Sequence, residues 1–107
     1  MTTFDRREET FERKFALDEE QKFKAIARRN RLLGLWAAEK LGLSGDAATA
    51  YSKEVVAADF EEAGEKDVLH KVLGDLAAKG KAVAETDVRA KMDELLAVAI
   101  AQVKAGT

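Results

Sequence analysis

Apolar residues recur along the chain at spacings of three and four, and glycines cut that pattern into segments. This spacing lines one face of a helix that turns about 100° per residue. The first long pattern covers residues 18–41 and stops at Gly42. Phe23, Ile26, Ala27, Leu33, Ala37 and Leu41 make its core face, while Leu32, Leu35 and Trp36 add apolar surface on the opposite side. A helix apolar all round is enclosed all round, so its second half is expected to be the most buried part of the fold. Gly34 costs about 1 kcal/mol of helix propensity relative to alanine, which close approach of a neighbouring helix offsets.

Three further helices follow. Ser44 is placed to cap the second, which is predicted to run to Ala63 and end at Gly64. It carries two apolar lines, one of Tyr51, Val55 and Ala58 and another of Val56, Phe60 and Ala63, and so faces neighbours on two sides. The third opens near Lys66 or Asp67 and stops at Gly80, with Val68, Leu69, Val72, Leu73 and Leu76 inside an arc of about 140°. Thr86 is expected to cap the fourth, with Asp87 in the first turn and the end near Lys104. Its stripe is narrower: Val88, Met92, Leu95, Leu96, Ala99 and Val103 share about 100°. Helices joined this closely predict an all-α, antiparallel four-helix bundle over residues 18–107.

Residues 1–17 follow another rule. Phe4, Phe11 and Phe15 lie on a stripe only about 40° wide, among Asp5, Arg6, Arg7, Glu8, Glu9, Glu12, Arg13 and Lys14. Continued into the next helix, the stripe meets Asp18 and Lys22 rather than the core face. So little apolar area does not hold an isolated helix in water, and the segment is expected to be a mobile helical arm. Periodicity leaves two readings open. The three phenylalanines either fold back onto the bundle or order in a partner's groove, where the aromatics anchor and the charges set direction.

Composition narrows the function. The 107 residues fit one domain, and the chain has no proline and no cysteine. Disulfides, thiolate catalysis and cysteine metal sites are therefore excluded. The longest apolar runs, at Leu32 and at Leu95, are seven residues each, too short to span a bilayer. The charged N-terminus lacks the apolar centre of a signal peptide, so a cytoplasmic protein without membrane insertion is expected. Residues 1–31 hold nine Lys/Arg against seven Asp/Glu, and the rest hold nine against thirteen. A slightly basic front on an acidic body gives no general attraction to nucleic acid.

Candidate chemistry is sparse. The run GDLAAKGK at Gly74 has five residues between its glycines, Ala82 where a hydroxyl is needed and no preceding strand, so it is not a phosphate-binding loop. His70 is the single histidine and reads as helix surface, with no second ligand for a metal. No nucleophile or acid–base pair emerges, which argues against an enzyme. Arg28, Arg29, Asn30 and Arg31 form a tighter cluster, with Arg28 and Arg31 about 60° apart around the helix. Two guanidiniums so placed suit a phosphate or a carboxylate. Asn30 falls on the apolar face, where its amide needs partners. With Trp36 as a stacking surface, these five residues are the candidate site for weak binding of ADP or ATP. No cofactor is required, and ordinary inter-helix ion pairs are the plainer reading.

Four segments, TTFDRREETFERKFALDEE, RRNRLLGLWAAEKLGL, YSKEVVAADFEEAG and KMDELLAVAIAQV, resemble in order the zeta-subunit inhibitors of alphaproteobacterial F-type ATP synthase. The resemblance covers essentially the whole chain. It implies a four-helix protein that inhibits ATP hydrolysis. Its N-terminal region would enter a catalytic interface between alpha and beta subunits and hinder rotation of gamma. Carried onto this sequence, Phe4, Phe11 and Phe15 are the expected anchors, and Arg6, Arg7, Arg13 and Lys14 the contacts to acidic or phosphate-lined surfaces. The implied location is cytoplasmic, peripheral to the membrane-bound enzyme. A nucleotide sensor and a helical adaptor for another partner are the competing readings.

Overall fold

In the computed structural model, which describes residues 17–59 and 66–106, four helices follow one another: α1 Glu19–Lys40, α2 Gly45–Ala58, α3 Lys66–Ala78 and α4 Glu85–Lys104. Among the described residues there is no strand, and the expected all-α four-helix class holds. Residues 1–16, and with them the expected arm anchors, lie outside the described residues.

Local chemistry sets the helix ends. Asp18 and Gln21 form a reciprocal capping box at the start of α1: Gln21 N–H donates to Asp18 Oδ1 at 2.7 Å and Asp18 N–H donates to Gln21 Oε1 at 3.2 Å. At its end Gly42 takes φ +80°, and Leu43 N–H reaches back to Ala38 O at 2.9 Å. The same closure ends α3, with Gly80 at φ +70° and Lys81 N–H on Leu76 O at 2.8 Å. A side chain pays a steric penalty in this left-handed conformation, which is why glycine marks both stops.

Two ends differ from expectation. α2 closes at Ala58, where Asp59 N–H turns to Val56 O at 3.2 Å; residues 60–64 of the predicted extension lie outside the described residues. Ser44 takes the N-cap position of α2 without a side-chain hydrogen bond. Thr86 does not cap α4. The cap is Ala84, whose carbonyl already accepts from Asp87 at 3.0 Å and Val88 at 3.3 Å, so Thr86 sits inside the first turn. Glu85 and Asp87 supply the acidic complement to the helix N-terminus, and Glu85 also holds Arg89 at 3.1 Å.

The core has two parts. The larger joins all four helices: Leu33, Ala37 and Ala38 from α1, Tyr51 and Val55 from α2, Val68, Leu69, Val72 and Leu76 from α3, and Val88 and Met92 from α4. The smaller joins α1 to α4 alone through Ala25, Leu96, Ala99 and Ile100, with Leu17, Ile26, Leu32 and Val103 packed around them. Among the described residues the larger cluster thus draws on four helices, and the smaller, at the end where residue 17 enters, on two. Leu17, assigned from sequence to the arm, packs with the body.

α1 is the shared wall, packing most extensively on α2 and α4. Its second half is closely enclosed, with Leu33, Ala37 and Ala38 all buried. Gly34 is the point of closest approach. A Cβ there would stand 2.6 Å from the Ser52 Cα and 3.1 Å from its Cβ. The first half of α1 corrects the sequence reading, because Phe23 is 62% exposed while Ala25, Arg29 and Asn30 are buried. The reason is length. Phe23 lies eleven residues back along α1 from the Gly34 crossing, whereas α2 runs only six residues past Ser52. Among the described residues, only Val56 and Asp59, at the end of α2, come beside Phe23.

A polar cluster ties α2 to α3. The Tyr51 hydroxyl donates to Asp75 Oδ2 at 2.8 Å, and Lys71 Nζ approaches the same oxygen at 3.1 Å and Glu54 Oε1 at 3.3 Å. Burial first, then the hydrogen bond and charge of Asp75, push the Tyr51 hydroxyl pKa well up. Burial opposes the charge on Lys71, but its bonds and charge interactions with Asp75 and Glu54 outweigh that and raise its pKa as well. Both groups hold their protons more tightly folded than unfolded. Their stabilisation is therefore complete below the unfolded values, near pH 10 for tyrosine, and is lost as pH rises through the folded ones. Tyr51→Phe is expected to cost about 1 kcal/mol at neutral pH and to flatten the loss of stability above about pH 10. Urea unfolding of parent and variant at neutral and alkaline pH checks this, and an equally steep alkaline decline in the variant would discount Tyr51.

Candidate functional site

Function has to come from the body's surface or from the chain that enters at residue 17, because the described residues offer no catalytic constellation. No group of three or more His, Asp or Glu is placed to hold a metal among them. His70 is exposed, on the rim of an open depression of about 550 Å³ beside Glu54, Asp67 and Lys71. Among the described residues no helix is long and apolar enough to cross a membrane.

The five candidate nucleotide residues do not converge. Arg28 Nη1 turns to Gln102 Oε1 of α4 at 3.3 Å. Arg29 is buried, only 2% exposed, and its Nε donates to Asn30 Oδ1 at 2.9 Å. Arg31 faces solvent. Trp36 follows Arg28 by eight residues, about 12 Å along the helix axis, and packs its inner edge on the larger core. The ammonium groups of Lys40 and Lys91 lie 5.0 and 5.9 Å from the centre of its ring. Lys91 is in turn bonded to Glu94. Arg28 does line a depression of about 450 Å³ near the start of α1, but Asp18 and Glu20 share that wall, and the Glu20 carboxylate holds Lys24 at 3.0 Å. Lys24 and Arg28 are thus matched by two carboxylates in that lining, which leaves no excess positive charge for a phosphate.

Asn30 brings an unsolved polar account. It is 0% exposed; Oδ1 is engaged by Arg29, and Nδ2 has no hydrogen-bond acceptor among the described residues. Leaving a buried donor unmade costs about 1–3 kcal/mol. Sequence placed this amide on an apolar face and asked for its partners; the structure gives one of them. Asn30 also lines a pocket of about 100 Å³ whose other described lining residues are Phe23, Ile26, Ala27, Val56 and Asp59. Sequence reasoning assigned Phe23 to the core and so missed this pocket.

The remaining predicted site residues, Phe4, Arg6, Arg7, Phe11, Arg13, Lys14 and Phe15, lie outside the described residues. What the described part settles is their point of attachment. The chain enters at Leu17, turns at the Asp18 capping box and continues into α1 at the end of the body where the smaller cluster lies.

Comparison with known proteins gives a consistent picture. A chain whose structure was determined in solution by NMR is 59% identical, with 80% of this chain and 98% of that one covered and a TM-score of 0.70. No curated protein matches. The family described as ATPase inhibitor subunit zeta matches residues 1–102, a span that includes the N-terminal segment, the first three helices and all but the last two residues of α4. Over nearly its whole length, therefore, this chain belongs to the ATPase inhibitor subunit zeta family, a family of inhibitor subunits rather than of enzymes.

Proposed function

We propose that the chain restrains ATP hydrolysis by F-type ATP synthase by inserting residues 1–16 at an interface between alpha and beta subunits of the head, so that gamma cannot turn in the hydrolytic direction. One observation carries this reading. The family match extends through the N-terminal segment, and that segment has a narrow stripe of Phe4, Phe11 and Phe15 out of register with the core face of α1. Three large aromatics on one seam are what a helix needs to anchor in a groove. Arg6, Arg7, Arg13 and Lys14 flank the seam and suit acidic or phosphate-lined walls.

The mechanism is steric and conformational. The arm enters while an interface is open, and closure of that interface traps it. The body, joined through the short Leu17–Asp18 connection to α1, is a rigid stop too bulky to follow. Such a protein works beside the membrane-bound enzyme on its cytoplasmic side. A nucleotide-sensing reading draws on a different geometry, the indole of Trp36 between Lys40 and Lys91, rather than on the Arg28–Arg31 cluster.

Phe4→Ala, Phe11→Ala and Phe15→Ala, made one at a time, are each expected to raise the concentration for half-inhibition of isolated heads by about 10- to 100-fold, as for interface anchors. Three variants as potent as the parent would remove the aromatic stripe from the mechanism.

A further inference from the structure

The pocket beneath Phe23 combines features that point to an occupant. Ile26, Ala27 and Val56 make apolar walls, and Phe23 stands at its rim 62% exposed, the most exposed large hydrophobic side chain described. Asn30 also lines it, fully buried. Its Oδ1 is fixed by Arg29 Nε at 2.9 Å, which settles the orientation of the amide and leaves Nδ2 as a donor with no acceptor among the described residues. A fitting occupant is therefore apolar in body and carries one acceptor oxygen.

Size decides between a small molecule and a protein. Sites for nucleotide-sized ligands run to roughly 300–1,000 Å³, and a cavity of about 150 Å³ just holds benzene. A pocket of about 100 Å³ matches a single side chain. Position decides which protein. Phe23 follows Leu17 by six residues, about 9 Å along the axis, on the helix that carries the arm. A partner that grips the arm lies against this flank of α1.

We infer that the pocket is a second docking point for the ATP synthase head: it receives one aliphatic or aromatic side chain of the partner, while a carbonyl oxygen beside that side chain accepts from Asn30 Nδ2. The inference rests on the inhibitory reading above and extends the contact from the arm to the body. It also gives the exposed Phe23 a role that folding does not, because burying it on the partner removes apolar area from water and completes the Asn30 amide in one step.

The test uses the full chain. Phe23→Ala, whose side chain is mostly in water in the free protein, is expected to keep the parent's thermal midpoint and to need about tenfold more protein for half-inhibition of isolated heads. A benzophenone amino acid in place of Phe23 is expected, on irradiation of the inhibited complex, to cross-link to a head subunit. Three results overturn the inference while leaving the inhibitory reading intact: parental potency in Phe23→Ala, a cross-link to residues 1–16 of the same chain, or a cross-link to a second copy. If Phe23→Ala is less stable than the parent, the cross-link alone decides. Failure of the parent chain itself to inhibit overturns both.

Discussion

Removal of residues 1–16 is expected to abolish inhibition and leave the body folded. Among the described residues, which begin at residue 17, the four helices build both core clusters between them. The capping box that starts α1 uses Asp18 and Gln21 alone. The cut belongs between residues 16 and 17, because Leu17 packs against the Ala25–Leu96–Ile100 cluster and its loss would open that cluster. Three aromatic anchors leave together, so the loss of affinity exceeds that of any single anchor, by about 1,000-fold or more if each is worth tenfold. Circular dichroism on the truncated chain reports the fold, and ATP hydrolysis by isolated heads reports inhibition. A truncated chain that is helical and still inhibits would place the inhibitory element in the body.

The second large effect is one of stability, and it comes as a pair of identical substitutions with opposite signs. Gly34→Ala and Gly74→Ala each gain about 1 kcal/mol of helix propensity. At Gly74, in α3, the added methyl meets nothing within 4 Å, so the gain stands and the variant is stabilised. At Gly34 the methyl would lie 2.6 Å from a main-chain atom, the Cα of Ser52. No rotamer change relieves that contact. α1 and α2 must separate, which loosens Leu33 and Val55 on either side, both 0% exposed. Overpacking against backbone lies at the upper end of its usual range, about 3 kcal/mol, and leaves a net cost of about 2 kcal/mol. In a domain of this size that lowers the thermal midpoint by about 10 °C. A Gly34→Ala protein as stable as Gly74→Ala would contradict so close a crossing of α1 and α2.

The architecture was largely readable before any coordinates, and the reasons are local. Gly42 and Gly80 are needed at left-handed positions that end helices, so each marks its stop. The stripes of α3 and α4 are single-faced, and Val68, Leu69, Val72 and Leu76, like Val88, Met92, Leu96 and Ala99, are buried as their spacing requires. The close approach at Gly34 followed from a glycine placed where alanine would fold better.

What escaped is what depends on where a neighbouring helix ends. Phe23 has a core residue's chemistry and a core residue's angle, yet it is 62% exposed beside the last described residues of α2. Arg29 is buried at a four-residue spacing between Ala25 and Leu33, and a hydrophobic pattern discards an arginine by construction. Thr86 has the chemistry of a cap, but the backbone had already turned at Ala84. For the arginine cluster a wheel records angle and not contacts. In three dimensions Arg28 turns to α4, Arg29 turns to Asn30 and Arg31 faces solvent. The pocket at Asn30 was invisible for the same reason: a wheel of α1 does not show Val56 and Asp59 standing beside Phe23, Ile26 and Ala27.

The most direct test of the central claim is ATP hydrolysis by isolated ATP synthase heads from the same source, titrated with the full-length chain. Tight, anchored insertion predicts that hydrolysis falls in proportion to added protein and is lost near one chain per head. Hydrolysis unchanged at a clear molar excess, with circular dichroism showing a folded helical protein, would contradict it.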